Sequence, residues 1–372
     1  MDFTLSKEQE LLRDGLSKFL STRYDLESSR AAAKTGIGWQ PEIWQSFATE
    51  LGILGAALPE DVGGIGGGPV EVMLIAEALG HALVVEPYVD TAVVAAGLLL
   101  RSGNAAARSV LEEIAAGTAI VALAAAETQC GDRWQDAQAG AVLNGEHWTL
   151  TGSKTMAINA PLATHVLVTA RTESGVSLFL VEADTAGLTM HSFRTIDDRR
   201  AADIELHDVR VPSSALLGAE GQAWPSIAQA RDEGAAAVCA EAVGNMRKVL
   251  ADTVEYAKQR QQFGQPIGSF QALQHRMVDM HIELEQSVSA VYLATLNLGA
   301  EAHTRAKAVS AAKATVGRAA RFIGQNAVQL HGGMGMTEEL AIGHYFKRLT
   351  AVQYEYGSTD HHLTRYAALT RD

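Results

Sequence analysis

The hydrophobic period of this chain changes twice, and that constrains its architecture more than any single motif. From Ser6 to about Gly117 apolar residues such as Leu11, Leu12, Leu16, Phe19 and Leu20 recur at three- and four-residue spacing, the mark of amphipathic helices. Near Ala119 the period becomes two. Val142–Leu150 reads as a hairpin turning at Asn144-Gly145, and Val166–Ala170, Val176–Val181 and Ile204–Val211 read as further strands. After Gly221 the helical spacing returns over Trp224–Lys258, Phe270–Ala300, Glu301–Leu330 and a shorter run to the end. Four long amphipathic helices in succession predict a bundle. The expected chain is mainly α with a middle antiparallel β domain: a helical domain over 1–118, a β domain over 119–222 and a helical bundle over 223–372. This order argues against a dinucleotide fold of alternating strands and helices.

Length and composition narrow the function. A chain of 372 residues with 47% hydrophobic content can bury a large core. Its formal charge of -13, from 30 basic and 43 acidic residues, comes without a basic block, so a nucleic-acid partner is not expected. No run of about 18 apolar residues spans a membrane. The opening Met1-Asp2-Phe3-Thr4-Leu5-Ser6 lacks a signal peptide's basic and apolar stretches, which points to the cytoplasm. Cys130 and Cys239 are too few for a disulfide framework or a zinc site, and no metal is expected. The Gly-rich Leu58–Pro69 stretch leads into a helix with no strand before it, so it reads as a connector.

Within the helical C-terminal region, Tyr256-Ala257-Lys258-Gln259-Arg260-Gln261-Gln262-Phe263-Gly264 places an Arg beside an aromatic residue. Further on, Gln329-Leu330-His331-Gly332-Gly333 supplies a glycine pair that lets backbone approach a ligand. A guanidinium suits a pyrophosphate and an aromatic ring suits adenine, so a bound dinucleotide is the leading expectation.

Arg260-Gln261-Gln262-Phe263-Gly264, Phe270-Gln271-Ala272-Leu273-Gln274-His275 and Gln329-Leu330-His331-Gly332-Gly333-Met334-Gly335 together resemble the acyl-CoA dehydrogenase family in order and spacing. Cys239–Gly244 and Gly63–Glu71 look most like the small subunit of pimeloyl-CoA dehydrogenase. The resemblance implies a helical domain, a β-barrel domain and a C-terminal four-helix bundle. It also implies an FAD-dependent oxidoreductase that forms a Cα–Cβ double bond in an acyl-CoA thioester, with an electron-transfer flavoprotein as electron acceptor and a tetramer as the assembly. Arg260, Gln262, Phe263, Gln271, Gln329, Gly332 and Gly333 match the family's FAD contacts, which serve the flavin of a neighbouring subunit. Asp232 matches a position lining the thioester arm.

The base is less plain. A gapless match from Arg348 puts Gly357 where the family usually carries its Glu, with Glu355 two residues away; a second family position matches Gly234, beside Glu233. Glu241 lies two helical turns further on, in an apolar run that would bury it, and burial raises a carboxyl pKa toward that of a working base. Its alternative role is a structural carboxylate bonded to a neighbouring helix. The family's flavin-facing Thr-Glu-Pro segment is here Ala126-Glu127-Thr128, and its Trp-Ile-Thr segment is Met156-Ala157-Ile158. Asp132 is expected to add like-charge repulsion near a pyrophosphate. Glu241 and Arg260 are 19 residues apart, roughly 28 Å on one helix, so they do not meet the same flavin ring. The chain is then a catalytic subunit, the completing half of a heterotetramer with a degenerate site of its own, or a non-catalytic acyl-CoA-binding scaffold.

Overall fold

A computed structural model of the chain describes residues 4–371. Before the sheet come α1 (Lys7–Arg23), α2 (Leu26–Thr35), α3 (Pro41–Thr49), α4 (Pro69–His81), α5 (Ala96–Ser102) and α6 (Ala105–Ala115). The strands are β1 (Val121–Ala124), β2 (Gly140–Asn144), β3 (His147–Ile158), β4 (His165–Thr172), β5 (Gly175–Glu182), β6 (Leu188–Arg194), β7 (Arg200–Pro212) and β8 (Leu216–Leu217). There follow α7 (Trp224–Gln259), a hairpin of β9 (Gln261–Gln262) and β10 (Gln265–Pro266), α8 (Gln271–Leu296), α9 (Ala302–His331), α10 (Ala341–Ala351) and α11 (Thr359–Arg371). The run after residue 340 is thus two short helices rather than one, broken at 352–358.

The chain forms two compact units. One takes Ser29–Gly68 and Val85–Gly234 and holds the sheet; the other takes the chain up to Ser28, Pro69–Val84 and the helices from Ala235 onward. The helical stretch before residue 119 is therefore shared between them.

In the sheet unit the strand order is β6-β7-β3-β2-β4-β5-β8, antiparallel except where β1 runs parallel to β4 and β2 meets β4 at Gly140 and Arg171. The hairpin turn is Gly145-Glu146, one residue later than expected, because Asn144 still pairs with His147. Gly145 takes the positive φ of 64° that the first turn position demands. One core face is packed by Trp148, Leu150, Val166, Val168, Phe179, Ile204 and Val209, with the Trp148 and Phe179 rings edge to face at 5.3 Å. Sequence periodicity missed β6 because this edge strand half-buries only Leu188 and Met190 and leaves the rest exposed, an alternation too short to register.

In the helical unit, α4 and α7 cross at close range. A Cβ at Gly80 would sit 2.0 Å from the Glu241 carbonyl oxygen, and one at Gly244 would sit 1.9 Å from that of Glu77. Glycine at both positions is what lets the two backbones touch. Small residues continue the theme where Ala235, Ala236, Ala294, Val309 and Ala312 form one buried cluster. On α8, Val278, Ile282, Leu293 and Leu296 are exposed at spacings that place them along one helical face.

Candidate functional site

Two outward-facing elements of the helical unit carry the dinucleotide signature. At the end of α7 the Arg260 amide donates to the Tyr256 carbonyl at 2.8 Å, after which the chain enters the β9–β10 hairpin. Phe263 and Gly264 form its turn with φ of 55° and 79°, the double positive pair of a tight two-residue turn. This strained tip leaves Phe263 90% exposed, its ring edge-on to Phe270 at 6.1 Å. Arg260, Gln262 and Gln271 are exposed beside it.

The second element is the end of α9. Gln329 is exposed on the last turn, and Gly332 stops the helix at φ 59° and ψ -141°, where only glycine is at ease. A Cβ at Gly332 or Gly333 would meet nothing within 4 Å, so no intrachain contact requires glycine at 333. The surface there is open to an approaching partner or ligand. A guanidinium, side-chain amides, an exposed aromatic ring and bare backbone amides are a donor set that fits the pyrophosphate and adenine of a dinucleotide.

The candidate bases are held differently. Glu241 is buried on α7, and Arg348 of α10 grips both its oxygens, Nε donating to Oε1 at 2.7 Å and Nη2 to Oε2 at 2.9 Å. The same guanidinium binds Glu355 through Nη1 and, at 2.9 Å, through Nη2. Burial of Glu241 was legible in sequence, but its commitment to an arginine was not. Glu233, in the sheet unit, accepts from Arg101 at 2.9 Å and from Gln229 at 3.0 Å. Asp232 is fully buried. Around Gly357, which has φ 119°, the loop is fixed by buried Lys313, whose ammonium donates to the carbonyls of Val352, Gln353 and Gly357.

On the ring-side segments of the sheet unit, the Ala126 carbonyl accepts from the Thr155 amide at 2.9 Å. Glu127 is a buried hub that accepts from the Lys154 ammonium at 2.6 Å and from the amides of Gln138 and Ala139. Burial alone would raise the Glu127 carboxyl, but these donors together hold it below its ordinary range. Asp132 is not a bare charge: Arg231 binds its carboxylate at 3.0 Å and its carbonyl at 2.6 Å while lying over the Trp134 ring. Met156, at φ 52°, is 52% exposed.

Arg199 is buried near Asp197, and His362 is fully buried against Ser310 and Tyr356. Arg348, Arg231, Arg101 and Lys313 escaped as site residues because each acts on a partner distant in sequence. Burial pushes the Cys239 thiol up to about 12, which removes it as a nucleophile. Among the described residues no group of three His, Cys, Asp or Glu is placed to hold a metal, and no helix is long and apolar enough to cross a membrane.

The helical, β, helical order of the chain is that of a known three-domain class of enzyme, and comparison with known proteins matches it along the chain. Residues 6–125, 122–209 and 221–369 match the N-terminal, middle and C-terminal domains of acyl-CoA dehydrogenase. The chain is 31% identical over 356 residues to the probable acyl-CoA dehydrogenase YngJ of Bacillus subtilis, covering 92% of each. Its fold is similar to the ChsE4-ChsE5 complex from Mycobacterium tuberculosis, with TM-score 0.91, 26% identity and coverage of 100% of this chain and 99% of that one. It is also similar to a glutaryl-CoA dehydrogenase from Mycobacterium smegmatis in complex with FADH2, with TM-score 0.90, 25% identity and coverage of 99% and 96%. This chain belongs to the acyl-CoA dehydrogenase family, an oxidoreductase family whose cofactor is FAD.

Proposed function

We propose that this chain is a subunit of an acyl-CoA dehydrogenase assembly that forms a Cα–Cβ double bond in an acyl-CoA thioester, and that its part is to complete the FAD site of a neighbouring subunit. One observation carries the reading: the carboxylates Glu241, Glu355 and Glu233, each a candidate for taking the α-proton, are all engaged by arginines. The groups suited to the nucleotide end, Arg260, Gln262, Phe263, Gln329, Gly332 and Gly333, face outward instead.

In this role Arg260 neutralises pyrophosphate charge, the Gly332-Gly333 backbone lies close to the nucleotide, and Phe263 and Gln329 meet the adenosine end. FAD, when bound, supplies the hydride acceptor, and an electron-transfer flavoprotein takes the electrons onward. The neighbouring subunit supplies the base and the ring pocket. The exposed apolar face of α8 is consistent with a homo- or heterotetramer. Likeness to a two-component complex supports a heteromer. The motifs that resemble the pimeloyl-CoA dehydrogenase small subunit favour a dicarboxylyl-CoA as substrate, and the assembly's proposed place is the cytoplasm.

The test is flavin content. Expressed alone, the chain should bind little FAD and show no bleaching by acyl-CoA; co-expressed with the homologous subunit, it should carry FAD that is lost with Arg260→Ala. Full flavin occupancy and turnover in the isolated chain would overturn the proposal.

A further inference from the structure

The two ligand-facing elements are joined beneath the surface by one aromatic stack. Tyr256 lies one helical turn before Arg260 on α7, and His331 closes α9 two residues after Gln329 and immediately before Gly332. Their rings stack at 4.3 Å with an interplanar angle of 28°, and the Tyr256 hydroxyl donates to the His331 carbonyl at 3.4 Å. His331 is buried and its ring is fixed, since Nδ1 lies 2.8 Å from the Ala327 carbonyl, which can only accept. The loop after the glycine pair folds back on the same turn. A Cβ at Gly335 would stand 2.7 Å from the Val328 carbonyl oxygen and 3.1 Å from the His331 Cβ.

Resting on the proposed function, we infer that Tyr256 and His331 are positioning residues that set the spacing between the Arg260 hairpin and the Gly332-Gly333 loop. Neither needs to touch the dinucleotide. A pyrophosphate and an adenine are tethered through one ribose, so a receptor made of two separate helix ends gains affinity when those ends are already fixed relative to each other. The hairpin has two paired positions on each side, too few to hold itself still, and the glycine pair lacks side chains to anchor it. The stack provides the fixed point for both.

The variants are Tyr256→Leu and His331→Leu, which remove a ring, beside Tyr256→Phe and His331→Phe, which keep one. FAD release is followed by flavin fluorescence on the assembly purified through a tagged chain, and hydrogen exchange over residues 261–266 is followed in the chain alone. Loss of the stack should speed FAD release roughly two- to tenfold, the range an aromatic pair accounts for, and speed exchange in the hairpin, while Tyr256→Phe and His331→Phe, which keep the ring contact but lose the hydroxyl and Nδ1 hydrogen bonds, should stay nearer the parent than the Leu variants. A merely structural residue would lower thermal stability without separating the Phe from the Leu variants. If Arg260→Ala speeds FAD release but the Leu variants do not, the positioning role is wrong and the functional reading stands. If Arg260→Ala also leaves release unchanged, the functional reading itself falls. Where a Leu variant does not assemble, unchanged hairpin exchange in the chain alone is sufficient to overturn the inference.

Discussion

Replacing Glu241 by Gln separates the two roles open to that residue. In the folded chain both Glu241 oxygens accept from Arg348, at 2.7 and 2.9 Å, and the pair is 5% and 2% exposed. Gln keeps the shape but turns one acceptor into a donor facing another donor. Removing one member of a buried ion pair costs about 3–5 kcal/mol, and here the guanidinium keeps Glu355, which places the loss at the low end, about 3 kcal/mol. Arg348→Met strips the counter-charge from both carboxylates and should reach the high end, about 5 kcal/mol. At about 2.1 cal/mol/K per residue, unfolding 372 residues carries about 0.8 kcal/mol/K, so the two variants should melt about 4 and 6 °C below the parent in calorimetry. Stopped-flow spectroscopy of the FAD-bearing assembly then gives the functional half. Glu241→Gln should leave substrate bleaching of the flavin intact, because the carboxylate is committed to Arg348. A folded, FAD-loaded Glu241→Gln assembly that no longer bleaches would refute this reasoning and make Glu241 the base.

Gly244→Ala should cost at least the about 1–3 kcal/mol of an overpacked core, read as a lower urea midpoint, because its Cβ meets the Glu77 carbonyl oxygen at 1.9 Å. Gly15→Ala, with nothing within 4 Å of the new Cβ, should instead gain up to about 1 kcal/mol from helix propensity, and a loss there would contradict the open packing. Glu127 has a folded pKa below its ordinary 4.5, so its contribution is complete above that pH and drains away as pH falls through the depressed value. The urea midpoints of Glu127→Gln and the parent should therefore converge on acidification from about pH 6 to about pH 3, and a gap independent of pH would show that the carboxylate charge is irrelevant.

What the sequence made legible follows from what is local. The switch from helical to alternating period and back located the strands β2 to β5 and β7 and the helices α7 to α9, since burial of one face leaves its period in the chain. The Arg260 and Gln329 motifs were equally readable, because an exposed hairpin and a helix-stopping glycine pair are built from consecutive residues. Edge strand β6 stayed hidden, because only Leu188 and Met190 are partly buried, too short an alternation to imprint a period.

The carboxylates show where local reading stops. The apolar run around Glu241 announced burial, but burial is compatible with a free base or a paired one, and the choice belongs to whatever faces it. That residue is Arg348, 107 positions away on another helix, which takes Glu355 as well. Tyr256 and His331 are likewise 75 residues apart, and neither carries a signal that it would find the other. Local pattern sets which elements form and which faces are buried; pairing across helices is decided only when those faces meet, and in this chain that meeting decides which carboxylates are free to act.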